Sequence, residues 1–370
     1  MIVRGKYRLG WGLGLGLGLT SAVAFAASQP ENILPSPSPA PSAPATPAAA
    51  PSAAPTIAAQ LPIDEPTVTW SVEQARSLLG VIEGIEAEGL IPADYQPGAL
   101  KAAIAAGPGA ALDAQASKSF AWLVEDMRDG RTRMDSRIQW FVVDTDVETS
   151  PTSAVMAKAL ADNDIPGAIA ALAPTAPDYA ALKGALAVAP KADKARRNLI
   201  RVNMDRWRWL PRDLGKFYLL TNVPEFQLRL TVDNTIIRSY RTIVGKPGRT
   251  ATPQLAEVVE GVVFNPTWTV PQSIVKGEGL GARLLANPAQ AAREGYKVTK
   301  AKNGMITVVQ QPGPNNALGF MKLDMPNEHA IFIHDTPSRG LFNQTFRALS
   351  HGCVRTERAM ELGMTMGILG

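Results

Sequence analysis

The chain has a single cysteine, Cys353, within the run Ser350-His351-Gly352-Cys353-Val354-Arg355. Beside an arginine, and just before a segment predicted to become helical at Thr356, a thiol lies in a positive field that stabilises the thiolate. Glycine permits a backbone in which consecutive amides turn inward and bind an oxyanion. A lone cysteine can also be a buried small hydrophobe or an intermolecular link, but this polar neighbourhood favours a reactive nucleophile.

A thiol nucleophile needs a base that is close in space rather than in sequence. The chain has three histidines. His334 follows a short apolar run, residues 331–333, which predicts a buried strand from whose end the side chain can project. His351 lies nearer to Cys353 in sequence, but a side chain two residues away in a tight turn points elsewhere. His329 has the setting of a surface histidine, so His334 is the predicted base.

A metal site is the main alternative use of these histidines. His329 and His334 are five residues apart across one predicted strand, so alternation places them on opposite faces. Neither an HExxH motif nor a cysteine cluster accompanies them. Residues 244–250 have some features of a phosphate-binding loop, but they lack the GxxxxGK[ST] order and contain Pro247. We therefore expect no metal and no cofactor, and a basic hairpin turn at residues 244–250.

The first 26 residues have the organisation of a secretory signal peptide. Three basic residues occur by position 8, an apolar stretch built on a Gly-Leu repeat follows, and Ala24-Phe25-Ala26 supplies a small-x-small cleavage site. An uncleaved membrane anchor is the alternative. It is disfavoured because the apolar stretch is glycine-rich and shorter than the ~20 residues that span a bilayer.

Removing that leader changes the charge balance. It holds three of the 37 lysine and arginine residues and none of the 33 acidic residues, which leaves 34 basic groups against 33 acidic groups. The mature chain would therefore be near neutral, and charge gives no argument for nucleic acid or an anionic membrane surface as a partner. Exported chains use cysteine mainly in disulfide pairs, so a lone cysteine calls for another explanation.

Composition and periodicity divide the rest of the chain into three parts. Residues 27–65 are almost entirely Pro, Ala and Ser, which predicts an extended linker without a core. In residues 66–190 apolar side chains recur every three or four positions after an N-cap at Ser71, and Gly130 ends a later helix. Residues 197–370 are β-rich, so the fold class is α+β. Strands are predicted at residues 217–223, 226–232, 236–244, 258–268, 305–310 and 330–334, and a final helix at 356–369.

His334, fifteen intervening residues and the run from Ser350 to Arg355 together resemble the signature of the YkuD-type L,D-transpeptidases. The resemblance is specific, because the histidine spacing and the trailing arginine agree together. It covers about residues 199–362 strongly and extends more weakly back to Ser71. Further runs resemble the subgroup from Gram-negative bacteria with a helical scaffold domain and a lid: residues 203–211, 243–247, 263–271, 312–319 and 333–337.

The resemblance implies a small all-α scaffold domain followed by a β-rich L,D-transpeptidase catalytic domain, with a lid inserted at about residues 272–310. It implies peptidoglycan tetrapeptide stems as both donor and acceptor. Cys353 would attack the L-centre carbonyl of diaminopimelate and expel D-Ala, and a second diaminopimelate amine would capture the thioester as a 3→3 cross-link. His334 would take the thiol proton, held in orientation by the backbone around Asp335.

The remaining roles also follow from the resemblance. The amides of His351, Gly352 and Cys353 would bind the oxyanion, and Ser350 and Arg355 would contact substrate. Carbapenem-type compounds are expected inhibitors, and the periplasm of a Gram-negative bacterium is the expected location. The subgroup's separate peptidoglycan-binding domain has no counterpart between the helical and β-rich parts, so glycan anchoring by such a domain is not expected.

Two other functions are compatible with the same residues. The same cysteine and histidine would serve an L,D-carboxypeptidase in which water replaces the acceptor amine. Scaffold and lid favour transfer, because they can shape an acceptor groove and exclude water. A catalytically idle peptidoglycan-binding scaffold is the third candidate, and the intact Cys353 and His334 argue against it.

Overall fold

The computed structural model describes residues 1–5 and 67–369. The helical part begins at Ser71, whose side chain accepts from the Gln74 amide while the Gln74 side chain accepts from the Ser71 amide. This capping box satisfies orphan donors and starts the first helix as predicted. The helices up to residue 210 are α1 Val72–Gly84, α2 Pro97–Ala106, α3 Ala110–Asp129, α4 Asp146–Thr149, α5 Thr152–Ala161, α6 Ile165–Ala170, α7 Pro177–Val188 and α8 Lys194–Arg208.

The predicted apolar helix face does form the helical core. Leu78, Ile82 and Ile85 are buried and pack with Phe120 of α3. Gly130, with φ at +79°, ends α3 as predicted. Helices continue to Arg208, past the predicted limit of residue 190, because α8 adds a buried face to α7. That helix is rich in arginine, so its narrow apolar face is easily overlooked in the sequence.

The strands of the structure are β1 Ile2–Gly5, β2 Phe217–Asn222, β3 Gln227–Val232, β4 Thr235–Gly245, β5 Ala256–Val259, β6 Gly261–Phe264, β7 Trp268–Thr269, β8 Tyr296–Lys300, β9 Ile306–Gln310, β10 Met321–Asp324, β11 Ile333–His334, β12 Ala348–Ser350 and β13 Val354–Thr356. Four more helices accompany them: α9 Gln272–Gly277, α10 Leu280–Ala286, α11 Pro288–Arg293 and α12 Ala359–Leu369. The helical part followed by a β-rich part confirms the α+β prediction.

The large sheet carries the catalytic candidates. Its order is β5-β1-β2-β3-β4-β13-β11-β10-β6, with β12 paired to β4. Strands β5 and β6 lie at opposite ends of this order, yet in the chain only Glu260 separates them. The two edges of the sheet are therefore close together, and the sheet curves round on itself. Helix α12 covers one face, where Leu362 and Met366 pack in a core with Ile333 and Val354. This core fixes β11 and β13 side by side.

Strand β1 overlaps the start of the predicted leader. It pairs antiparallel with β2 and parallel with β5, and Ile2 and Val3 are buried. Most of the leader and the predicted linker, residues 6–66, lie outside the described residues. Among the described helices none combines the length and the apolar character needed to cross a bilayer.

The segment predicted as a lid, about residues 272–310, is a small unit with its own core. It contains α9, α10 and α11, and its strands β8 and β9 form a separate sheet in the order β7-β9-β8. Val275, Leu284 and Val308 are buried in a cluster of their own. Such a unit is stabilised largely by its internal contacts.

Candidate active site

Cys353 lies between β12 and β13 and is half-buried. The sequence predicted that a helix starting at Thr356 would follow it directly, and this is wrong. Residues 354–356 form strand β13, and α12 begins at Ala359. The field of a helix terminus acts within the first turn of the helix, and the thiol lies outside that turn.

The environment of the thiol favours its neutral form. Burial raises the pKa of Cys353, while a hydrogen bond from the Phe332 amide and the charge of Arg355 act to lower it. Cys353 Sγ lies 3.8 Å from the carbonyl oxygen of Ala330, to which the thiol donates. The expectation of a stabilised thiolate is thus wrong for the unliganded protein, because desolvation outweighs the positive field.

The sheet brings His334 close to the segment that carries Cys353. Strands β11 and β13 run parallel, with His334 opposite Arg355 and Ile333 opposite Val354. Cys353 directly precedes β13, and the charge of Arg355 acts on both Cys353 and His334. No hydrogen bond joins the two side chains in the described structure, as is common before substrate binds.

The imidazole is held through its Nδ1 atom. His334 is buried, and Nδ1 contacts the carbonyl oxygen of Asp335, an oxygen that can only accept. We therefore assign the proton to Nδ1, which leaves Nε2 as the basic nitrogen. Burial, and then the charge of Arg355, lower the pKa of His334 to about 3, against hydrogen bonds to the backbone of Asp335 and Leu318. Both His334 and Cys353 are neutral near pH 7.

Asp335 acts through its backbone on the histidine and through its carboxylate on the neighbouring loop. Its Oδ2 accepts from the amide of Phe320 at 2.9 Å and from Arg339 at 3.1 Å. Gly319 packs so closely that a Cβ atom there would lie 2.4 Å from Oδ2. The carboxylate therefore ties the loop before β10 to the end of β11.

The segment Ser350–Cys353, here called the cysteine loop, satisfies most of its own polar groups. Ser350 Oγ donates to the carbonyl of Cys353 at 2.6 Å and accepts from the Gly352 amide at 3.1 Å. The carbonyl of Ser350 accepts from the Lys246 amide at 3.0 Å. The carbonyl of Gly352 accepts from Thr252 Oγ1 at 2.7 Å.

These bonds correct two of the predicted roles. The amide of Gly352 is engaged by Ser350 and is not offered to an oxyanion. Ser350 is buried and shapes the cysteine loop instead of contacting substrate. Gly352 contributes its conformation, with φ at +122°, a region that favours glycine. Among described residues no acceptor takes the amide of Cys353, which leaves it beside the thiol as a donor.

Arg355 lies close enough to act electrostatically on both reacting groups. Its charge lowers the pKa of His334 and of Cys353. Burial lowers the pKa of Arg355 itself, and no carboxylate of the described residues pairs with it. A half-buried guanidinium of this kind can bind a carboxylate in a fork geometry.

The other two histidines lie where the sequence suggested. His351 is half-exposed, with Nε2 at 3.1 Å from Oε1 of Glu278 in the lid, so its ring does not point toward the thiol. His329 is exposed, and its ring centroid lies 4.3 Å from that of Phe141 of the helical part. No group of three potential metal-ligating side chains is found among residues 1–5 and 67–369.

The base of the lid is fastened by a residue that the sequence did not single out. Asn316 is buried, and its amide donates to the carbonyls of Pro266 at 3.0 Å and Gln311 at 2.9 Å. Its Oδ1 accepts from Leu318, whose backbone contacts the His334 ring. Asn316 stands in the run 312–319 noted for its resemblance, but residue type alone does not indicate this role.

Comparison with known proteins agrees with the geometry. Residues 216–362 match the L,D-transpeptidase catalytic domain family called YkuD, and residues 65–186 match a Scaffold domain family. A protein of Haemophilus influenzae, provisionally described as an L,D-transpeptidase, is 32% identical over 178 residues. That match covers 44% of this chain and 36% of the relative, so the chain spans only about a third of the length of the relative.

Proposed function

We propose that this chain forms 3→3 diaminopimelate cross-links in peptidoglycan through a thioester on Cys353, a proposal supported by the match of residues 216–362 to the L,D-transpeptidase catalytic domain family. One observation carries the proposal. The thiol and an unengaged amide belong to the same residue, in a loop where the Gly352 amide and three carbonyls are already hydrogen-bonded, and the charge of Arg355 acts on both Cys353 and His334.

The first half-reaction starts from two neutral groups. Cys353 Sγ attacks the carbonyl carbon of the L-centre of diaminopimelate, and the thiol proton passes to Nε2 of His334. Because the pKa of His334 is low, its imidazole is neutral before the reaction. Once protonated, it readily donates the proton to the departing amine. As the amide bond to D-Ala breaks, that proton leaves with D-Ala and the thioester remains.

The second half-reaction reverses these roles. The side-chain amine of a second diaminopimelate attacks the thioester, loses a proton to His334, and expels the thiolate, which takes that proton back. In both halves the negative oxygen develops beside Cys353. Its amide is the donor that the described geometry leaves free, and His351 provides a second candidate amide.

Substrate recognition involves the free guanidinium. We assign Arg355 to a carboxylate of the donor stem, because it is half-buried beside the thiol and no described carboxylate neutralises it.

Muropeptide chemistry tests the proposal. Purified protein incubated with disaccharide tetrapeptide should release D-Ala and yield a cross-linked dimer, detected by liquid chromatography and mass spectrometry. Cys353→Ala should yield neither product, while His329→Ala, a matched change of an exposed histidine, should retain transfer. Tripeptide without dimer would reassign the protein to hydrolysis, and full activity of Cys353→Ala would refute the cysteine mechanism.

Acylation by a carbapenem gives an independent test. The protein should gain the mass of one inhibitor molecule on Cys353, and Cys353→Ala should gain none. A folded wild-type protein without adduct would support the idle scaffold instead. No cofactor need be added for either assay.

We also propose export to the periplasm, supported by the basic, apolar and small-residue segments of residues 1–26. Cleavage after Ala26 would remove β1 from its place between β2 and β5. Intact mass of the protein recovered from the periplasmic fraction measures whether residues 1–26 are present. Recovery only from the cytoplasmic fraction would contradict export.

A further inference from the structure

A threonine far from the cysteine in sequence controls the direction of its amide. Thr252 is buried, and its hydroxyl donates to the Gly352 carbonyl at 2.7 Å across 100 residues of chain. The same oxygen accepts from the Gly245 amide at 2.9 Å. With one donor and one acceptor bond made, the hydroxyl is fixed in orientation.

Because the peptide group is planar, fixing the Gly352 carbonyl also fixes the direction of the Cys353 amide. The bond between Gly352 and Cys353 is trans, so the carbonyl of Gly352 and the amide of Cys353 point in opposite directions. Holding the carbonyl against Thr252 therefore turns the Cys353 amide away from the turn at residues 245–252. Gly352 has no Cβ and a positive φ, so without this bond the peptide plane could rotate easily.

Thr252 is itself held on both sides. Gly245 packs so tightly that a Cβ there would lie 2.0 Å from the carbonyl oxygen of Thr250, which keeps the turn folded against β4. Two residues further on, Gln254 pairs with the helical part. Its amide donates to Gln139 and its carbonyl accepts from Phe141, both at 2.9 Å. The Thr252 hydroxyl therefore belongs to a segment that close packing at Gly245 and hydrogen bonds to the helical part hold in place.

We propose that Thr252 is a positioning residue for acyl transfer, which orients the Cys353 amide toward the oxyanion of the tetrahedral intermediate. This inference rests on the proposed function, because it assigns no chemistry to Thr252 itself. Thr252 touches neither thiol nor substrate and acts through the Gly352 carbonyl. It should therefore influence steps that generate an oxyanion and leave other reactions of the thiol unchanged.

The test compares two reactions of one thiol. Acylation by a carbapenem passes through an oxyanion, whereas alkylation by iodoacetamide does not. Thr252→Val, which keeps the shape and removes the hydroxyl, should slow acylation by about tenfold to a hundredfold, below the full effect of losing an oxyanion donor. Its alkylation rate should stay within about twofold of wild type, because the thiol and its surroundings are unchanged.

Matched variants separate the hydroxyl from general destabilisation. Thr242→Val is the control, since Thr242 is equally buried on β4 but its hydroxyl has no partner in the described structure, and this variant should acylate at the wild-type rate. Thr252→Ser and Thr252→Ala differ only in the hydroxyl, so serine should restore acylation and alanine should not. This pair replaces the valine variant if valine fails to fold.

Several results would overturn the inference. Acylation of Thr252→Val at the wild-type rate, or an equal slowing of acylation and alkylation, would show that the hydroxyl does not act on the oxyanion. Equal acylation of the serine and alanine variants would do the same. Wild-type protein that takes no carbapenem at all would contradict the proposed function first, so the two failures are distinguishable.

Discussion

The cysteine loop and the lid meet in this molecule, and they are built in opposite ways. The cysteine loop has no apolar core of its own. The Lys246 amide and the Thr252 hydroxyl bind two of its carbonyls, and its own Ser350 hydroxyl binds the Cys353 carbonyl and the Gly352 amide. The lid has a core of its own around Leu284. The described contacts between the two include one between His351 Nε2 and Glu278 Oε1, at 3.1 Å, whose side chains are 50% and 55% exposed.

This difference assigns separate tasks to the two regions: the cysteine loop orients the oxyanion donor, and the lid controls access of substrate to the thiol. A loop fixed by buried hydrogen bonds holds its donor in place before substrate arrives, which is what stabilisation of a developing charge requires. A lid with its own core can move as one body about its base, where Asn316 joins both ends. We therefore expect changes in the cysteine loop to alter the chemical step, and changes in the lid to alter entry and release.

The largest expected effect comes from Gly352→Ala. Alanine at φ +122° is strained, and its Cβ would lie 2.8 Å from Cδ1 of Ile331, so the Cys353 amide must shift. We expect carbapenem acylation to fall by about a thousandfold, the upper range for a lost oxyanion donor.

Gly248→Ala is the control for this change. Gly248 also has a positive φ, at +91°, but has open space around it, so its substitution should leave acylation nearly unchanged. A wild-type acylation rate in Gly352→Ala would show that the loop tolerates movement.

Leu284→Ala should weaken the lid by about 2–5 kcal/mol, the usual cost of such a cavity. Because the lid core is separate, amide hydrogen exchange should increase in residues 272–310 and not in the large sheet. Leu362→Ala, in the sheet core, should instead lower protection of the sheet. An equal loss across both regions in Leu284→Ala would mean that the lid and sheet unfold together.

The third prediction concerns pH. Since burial raises the pKa of Cys353, the free protein holds a thiol near neutrality, and the thiolate fraction grows about tenfold for each pH unit below that pKa. Alkylation by iodoacetamide should therefore rise about tenfold per unit between about pH 6 and pH 8. Cys353 is the single cysteine, so the rate reports it alone. A rate independent of pH over this range would indicate a preformed thiolate–imidazolium pair.

The smallest effect should come from Glu278→Gln. Exposed ion pairs contribute about 0–1 kcal/mol, so removing the lid's contact with His351 should change acylation by less than about fivefold. Added salt should abolish the difference from wild type. Glu294→Gln, which breaks the exposed pair with Arg283 inside the lid, serves as the control. A large loss in Glu278→Gln alone would show that the lid holds the cysteine loop.

Sequence patterns predicted the fold well wherever one periodicity dominated. The capped start of α1 and the end of α3 at Gly130 follow from local rules and agree with the structure. Strands 217–223 and 226–232 were placed within a residue or two. Helix α8 was not predicted, because its many arginine residues make its apolar face hard to recognise in the sequence. Strand β13 was not predicted, because its three residues carry no period of their own, and the final helix was predicted to begin at Thr356, three residues before α12 begins.

What the sequence determined by itself is the chemistry available: one thiol, one histidine at the end of a buried strand, and a glycine beside the thiol. Residue types and short-range spacing suffice for that. The tertiary structure decided which atoms remain free. It bound Ser350 and the Gly352 amide to each other, brought Thr252 to the Gly352 carbonyl, and raised the pKa of Cys353, which favours a neutral thiol over the expected thiolate. Hydrogen-bond partners and burial depend on contacts between distant segments, so no local pattern specifies them.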